Sequence, residues 1–144
     1  KTFYFHNCVY GRVWETERPF ELHLDGITIS GRADVILDKE GGVPTALAIV
    51  DYKTSTSADA DHALQIQVYT DAGLREGLDM RGAYVHDLKA GERSEVDITA
   101  GAISGAEAIV LEAAQRLRAR DYAPDPGKKC RTCEVRTVCG SAAP

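Results

Sequence analysis

The run Leu47-Ala48-Ile49-Val50-Asp51-Tyr52-Lys53 constrains the fold more than any other stretch of the sequence. Four consecutive apolar residues follow a turn-forming segment, Glu40-Gly41-Gly42-Val43-Pro44, and read as a strand buried on both faces. Such a strand belongs in the middle of a sheet with helices over it. The expected fold is therefore α/β: a central mixed sheet flanked by helices.

The flanking sequence supplies the rest of that sheet. Phe20, Leu22 and Leu24 alternate with polar residues, Asp25-Gly26 offers a tight turn, and Ile27, Ile29, Ala33, Val35 and Leu37 continue the alternation. This predicts a β-hairpin with a long second strand. From Ser57 to about Gly77 the period becomes helical, with Ala60, Leu64, Val68 and Ala72 four apart, Asp59 and Asp61 near the start and Gly77 as the stop. Residues 83–86 and 96–98 read as two strands joined through Ala90-Gly91. A last helix is expected to begin near Ser104-Gly105-Ala106-Glu107, which has capping-box form, and to bury Ala106, Val110, Ala113 and Leu117. The predicted order is β-β-β-α-β-β-α, followed by a cysteine-rich tail over 124–144, in one domain spanning 1–144. The first residue is Lys1 and the opening residues are strand-like, so the sequence reads as a piece of a longer chain.

Composition narrows the class of protein. The 144 residues carry 17 Lys and Arg against 22 Asp and Glu, a net charge of −5, so bulk charge does not coat this protein onto nucleic acid. A local basic groove or a metal-mediated phosphate contact remains compatible with that balance. No apolar run approaches the roughly 20 residues that span a bilayer, and a signal peptide is not expected. Three of the four cysteines, Cys130, Cys133 and Cys139, fall in one short stretch, with Cys8 far upstream. Disulfide frameworks are spread differently, so a reducing, cytoplasmic setting is expected.

The candidate chemistry lies on either side of the Gly41-Gly42-Val43 turn. Asp34 and Asp51 are nearly symmetric about it, so hairpin pairing places them opposite each other, and Asp51 and Lys53 share a face of their strand. Two like charges placed together in a poorly solvated spot are costly, and a divalent cation removes that cost. Mg²⁺ accepts a few carboxylate oxygens together with water and phosphate oxygens, and in such a site it polarises a phosphodiester. Lys53 would orient the attacking water or neutralise charge developing on the phosphate. The alternative is a plain Asp-Lys ion pair at the strand end.

Three segments together carry a family resemblance. Gly31-Arg32-Ala33-Asp34, Ile49-Val50-Asp51-Tyr52-Lys53-Thr54 and Gln65-Ile66-Gln67-Val68-Tyr69 resemble the GxxD, (D/E)xK and QxxxY motifs of the PD-(D/E)XK nuclease superfamily. The likeness is to its RecB-like branch, found in UvrD/Rep-type helicase–nucleases and in CRISPR-associated adaptation nucleases, and it covers roughly residues 17 to 140. It implies a restriction-endonuclease-like core and Mg²⁺- or Mn²⁺-dependent hydrolysis of DNA. Single strands are the expected substrate, exonuclease action is expected over endonuclease, and a helicase domain is the expected partner in repair or recombination. It also implies Asp34 and Asp51 as metal ligands, the Tyr52 backbone carbonyl as a further ligand, and Lys53 as the catalytic lysine. Gln65 and Tyr69, four apart on one helix face, would contact DNA or brace the site. A different class of function keeps the same fold: a non-catalytic DNA-binding or docking module.

The tail Cys130-x2-Cys133-x5-Cys139 is similar to the iron–sulfur tail of that branch and implies a [4Fe–4S] cluster with Cys8 as fourth ligand. Spacing by itself leaves Zn²⁺ open. The family also takes a His or Glu from an upstream helix, whereas nothing before Asp34 reads as helical. His6, Glu15, Glu17 and His23 are the nearby side chains of that kind, all in strand-like sequence. His62 and His86 read as surface or core polar residues. Lys128, Lys129, Arg131 and Arg136 make a basic patch that would follow a DNA backbone or form a solvated face.

Overall fold

The structure is a computed structural model that describes residues 12–38, 46–54, 60–124 and 126–141. Its elements are β1 (Arg12–Leu24), β2 (Ile27–Asp38), β3 (Leu47–Lys53), α1 (Ala60–Arg75), β4 (Met80–Asp87), β5 (Glu92–Glu95) and α2 (Ala100–Arg118). Two short 3-10 turns, Lys128–Thr132 and Arg136–Val138, follow. The five strands form one mixed sheet in the order β1-β2-β3-β4-β5. Only the β3–β4 pair is parallel, joined by the crossover through α1, and the other pairs are antiparallel. The expected α/β class and element order are those of the structure.

Local chemistry accounts for most of these elements. Asp25 and Gly26 both adopt positive φ, 42° and 73°, the conformation that a two-residue hairpin turn needs to match the twist of its strands. Residues 47–51 of β3 are all buried, as its apolar run requires. Strand β1 lies at the edge of the sheet and carries a register shift between Val13 and Glu15, Glu17 at φ 53° and Pro19. Such irregularities keep an edge strand from pairing with another chain. Helix α1 covers one side of the sheet with Ile66, Val68 and Ala72, which pack in one cluster with Phe20, Leu22, Ile36, Ile49, Met80 and Ala83. Burying each large apolar side chain of this set stabilises the fold by about 1.5–3 kcal/mol.

Three expectations about the second half need correction. The fifth strand is Glu92–Glu95 rather than 96–98, because the turn at 88–91 starts it earlier. Asp87 holds that turn by accepting the N–H groups of Lys89 at 2.7 Å and Ala90 at 3.1 Å. Helix α2 begins at Ala100 and not near Ser104: the Thr99 hydroxyl accepts the Ala102 N–H at 3.4 Å, and Asp97 in turn accepts the Thr99 N–H at 2.8 Å. Ser104 and Glu107 therefore lie inside the helix, where the Glu107 carboxylate pairs with Arg75 of α1. Of the four residues expected to be buried on α2, Ala106 is buried and Val110 partly so, whereas Ala113 and Leu117 are exposed.

Helix α1 is described from Ala60, inside the expected 57–77 span, and it stops as expected. Gly77 takes φ 87°, donates to the Leu74 carbonyl and precedes Leu78, whose N–H reaches the Gly73 carbonyl. This is a Schellman ending with glycine in the left-handed position. The backbone divides into two compact units, Lys1–Leu111 and Glu112–Pro144, with the boundary inside α2.

Candidate active site

The β2–β3 ladder runs Asp38↔Leu47, Leu37↔Ala48, Ile36↔Ile49, Val35↔Val50. One further step in the same register sets Asp34 against Asp51, as the symmetry about the glycine turn predicts. At that step a side chain replaces the backbone ladder, for the Tyr52 N–H donates to Asp34 Oδ2 at 2.9 Å. On the other side of β2, Thr16↔Val35 and Arg18↔Ala33 bracket Glu17 opposite Asp34. The positive φ of Glu17 marks an irregular ladder there too. Asp34 thus sits where β2 is loosened toward both neighbours.

Asp51 and Lys53 occupy alternate positions at the carboxyl end of β3. Lys53 Nζ lies 2.7 Å from Asp51 Oδ2, with Asp51 buried and Lys53 partly exposed. This is a charge contact without hydrogen-bond alignment, and Asp51 Oδ2 is a buried oxygen that makes no hydrogen bond among the described residues. The Lys53 ammonium offsets its charge, so the ion pair expected as the alternative at this strand end is present. Tyr52, between them, projects away and packs edge-on against His86, its partner in the parallel ladder, with ring centroids 5.7 Å apart. Burial pushes the Tyr52 phenol above its ordinary value, Arg93 pulls it down and the Asp34 carboxylate adds to the rise. The phenol is therefore neutral near pH 7.

Gln65 and Tyr69 meet the site through the backbone of β2. The Tyr69 hydroxyl accepts hydrogen bonds from Gln65 Nε2 at 3.0 Å and from the Arg32 N–H at 3.3 Å. Its ring lies on Gly31 so closely that a Cβ there would fall 2.6 Å from the hydroxyl oxygen and 2.7 Å from Cζ. Phe20 stacks against the same ring at 6.1 Å. The first glycine of the Gly31-Arg32-Ala33-Asp34 stretch is thus where the tyrosine of α1 seats. These contacts tie Gln65 and Tyr69 to the backbone of β2.

The candidates for a third metal-binding side chain are engaged elsewhere. Glu15 pairs with Arg18 at 2.6 Å, and Arg18 also holds Glu76 at 2.9 Å. Glu17 is mostly exposed and 3.8 Å from Arg32, and His23 bonds Thr28 Oγ1 at 2.9 Å near the hairpin turn. His6 lies outside the described residues. Among the described residues no group of three His, Cys, Asp or Glu side chains gathers at metal distance. One cluster escaped the sequence reading altogether: Arg93 of β5 stacks 3.6 Å over the Tyr84 ring beside buried His86. No spacing rule announces it, because it depends on the β4–β5 register.

A divalent cation can still be tested against Asp34 and Asp51, which the register sets on adjacent strands. The donors are two carboxylates and a neighbouring backbone carbonyl, an all-oxygen set suited to Mg²⁺ or Mn²⁺, and Asp51 Oδ2, met by the Lys53 ammonium 2.7 Å away, keeps lone-pair capacity for an ion. The residues fit such an ion. In the tail, the Gly127 N–H reaches Cys130 Sγ at 3.4 Å, Cys130 is half-buried, and Cys133 and Cys139 are exposed free thiols. These three cysteines are not gathered into a metal cage, and Cys8 lies outside the described residues.

Comparison with known proteins gives the family. The profile of the PD-(D/E)XK nuclease superfamily matches residues 7–140, and the chain belongs to that superfamily. The Gene 69 protein of Mycobacterium phage L5 is 29% identical over 129 residues, covering 85% of this chain and 43% of the phage protein. The chain thus spans less than half the length of that relative. Two solved structures share the fold: SSO0001, at TM-score 0.58 and 20% identity over 90% of this chain and 61% of the other, and a candidate exonuclease from Eubacterium rectale, at TM-score 0.54 and 15% identity over 94% and 54%. Membership establishes a nuclease fold and a nuclease class.

Proposed function

We propose that this chain is a Mg²⁺- or Mn²⁺-dependent deoxyribonuclease that hydrolyses single-stranded DNA, exonucleolytically, as the nuclease module of a helicase–nuclease. The observation that carries the catalytic part is the buried Asp51 carboxylate, its Oδ2 2.7 Å from the Lys53 ammonium, at the position that the register sets against Asp34 one step beyond the Val35↔Val50 pair. Asp34, Asp51 and the Tyr52 carbonyl would hold the cation, which when bound supplies Lewis-acid activation of water and of the phosphodiester. The chain's own residues do the rest. Lys53 reaches from a buried carboxylate toward solvent, so its ammonium both offsets the charge of Asp51 and stands where a phosphate oxygen gains charge. Gln65, Tyr69 and Gly31 fix the backbone that presents Asp34. The exonuclease reading leans on the Eubacterium rectale neighbour, and the helicase partnership on the motif resemblance.

The [4Fe–4S] cluster on Cys8, Cys130, Cys133 and Cys139 belongs to the same proposal, supported by the cysteine spacing and by the N–H donated to Cys130 Sγ. Iron in anaerobically purified protein, lost in Cys133→Ser, supports it, and stoichiometric zinc without iron replaces it by the zinc alternative. The test of the main proposal is cleavage of an end-labelled single strand with Mn²⁺. Asp34→Ala, Asp51→Ala and Lys53→Ala are each expected to abolish cutting while the far-ultraviolet circular dichroism stays unchanged. Metal-dependent cutting that survives Asp51→Ala overturns it. Binding of DNA by the unaltered chain without any cutting favours the non-catalytic module instead.

A further inference from the structure

The two helices end in the same way with different residues in the critical position. After α1, Leu78 N–H bonds to the Gly73 carbonyl at 2.9 Å and Gly77 N–H to Leu74 at 3.0 Å, with Gly77 at φ 87°. After α2, Asp121 N–H bonds to the Arg116 carbonyl at 2.9 Å and Arg120 N–H to Leu117 at 3.1 Å, with Arg120 at φ 55°. The left-handed position of this motif favours glycine, which has no Cβ to crowd the carbonyl, and an arginine there carries strain that glycine would relieve. The favourable interaction of a cation with the helix C-terminus is already available from Arg116 and Arg118 in the last turn. Strain retained at an exposed position points to what the side chain does.

The surroundings of Arg120 say what that is. Residues 112–144 carry seven Lys and Arg against four Asp and Glu, while residues 1–111 carry ten against eighteen. The basic charge of the chain is thus concentrated in its second unit. Arg116 is paired with Asp121 at 3.1 Å in solvent, and Asp121 is further held by the Ala123 N–H, so part of the positive charge is met locally. Arg120 makes no ion pair among the described residues. Two residues on, Tyr122 is 71% exposed, the most exposed aromatic ring among the described residues. Arg131 and Arg136 add exposed cations within the same unit.

We propose that Arg120 and Tyr122, with Arg116 one turn before Arg120, form a gripping surface for single-stranded DNA, with the arginines on phosphates and the tyrosine stacked on an unpaired base. This deepens the nuclease reading and rests on it for the identity of the polyanion. Guanidinium groups suit phosphate oxygens through paired N–H donors. An exposed phenol ring stacks on any base that duplex pairing does not sequester, which selects single strands over duplex.

The test separates grip from both folding and chemistry. Binding of a fluorescein-labelled oligothymidylate is measured in EDTA, where no cutting occurs, for the unaltered chain, Arg120→Gly and Tyr122→Ala, alongside thermal unfolding and single-turnover cleavage at saturating DNA with Mn²⁺. Arg120→Gly is expected to raise the unfolding temperature and yet weaken binding, with the salt dependence of log K shallower by about 0.7. Tyr122→Ala is expected to weaken binding roughly fivefold or more, an effect that vanishes on an abasic strand. Unchanged affinity in Arg120→Gly and Tyr122→Ala overturns the proposal and leaves the nuclease reading intact. Loss of affinity in a chain that never cuts upholds the grip and removes the nuclease reading.

Discussion

Gly31 is the residue whose substitution should say most. Its side of β2 is filled by the Tyr69 ring, so alanine must displace either the ring or the strand, and the strand leads three residues on to Asp34. Overpacking of this kind costs about 1–3 kcal/mol. Gly31→Ala is expected to lower the unfolding free energy from denaturant titration by that amount and to reduce Mn²⁺-dependent cleavage beyond what the stability loss explains. Coupling to Tyr69 supplies the check: in a Tyr69→Leu background the same change should cost much less, and an additive double mutant would show that the two residues do not act through each other. A glycine ahead of the aspartate is also the residue-scale trace that the sequence carried. The spacing marked it, while its physical reason needed a tyrosine 38 positions later.

Among the elements, legibility followed how much of the signal was local. The β1–β2 hairpin and β3 were readable because alternation, a two-residue turn and an uninterrupted apolar run each specify a strand from within. The Asp34–Asp51 register was readable because one turn fixes it. Strand β5, with the sequence ERSE, has no apolar alternation and exists because Asp87 folds the preceding turn. The start of α2 was misplaced because Ser104 and Glu107 imitate a cap whose partner is in fact Arg75 on another helix. Its second half shows the same limit, since an apolar stripe does not tell what covers it.

Those turn-holding aspartates make the elements sensitive to acid. Asp87, Asp97 and Asp121 are all held below their ordinary value of 3.8, chiefly by backbone N–H donors from Ala90, Thr99 and Ala123 respectively. Each therefore binds fewer protons folded than unfolded just below that value. The stability each contributes is present above it and is lost as pH falls through the folded pKa. Asp97→Asn keeps an acceptor for the Thr99 N–H and carries no titrating charge. Its unfolding free energy is expected to decline less steeply below pH 3.8 than that of the unaltered chain. Equal slopes in urea titrations would show that this cap does not feel the proton.

At the scale of the whole molecule, the candidate site lies on two strands of the central sheet, so what binds there acts on the stability of the fold. Asp34 and Asp51 lie one register step beyond the Val35↔Val50 pair on adjacent strands of the central sheet, and the buried Asp51 carboxylate is met by the single ammonium of Lys53. Any ion that binds these groups in the folded chain and not in the unfolded one stabilises the entire structure by mass action, by about 2.7 kcal/mol at roughly one hundred times its Kd. Mn²⁺ is therefore expected to raise the unfolding temperature in a concentration-dependent way, and excess EDTA to reverse the rise. Asp51→Ala should abolish the shift. It should also leave the metal-free protein less harmed than a typical buried truncation, because the substitution removes the like-charge repulsion along with the carboxylate. Lys53→Ala should instead retain the Mn²⁺ shift while losing cleavage, since without its ammonium the paired carboxylates attract the ion more strongly. A calorimetric scan in which Mn²⁺ shifts Asp51→Ala as much as the unaltered chain would place the ion elsewhere and separate the two aspartates from metal binding.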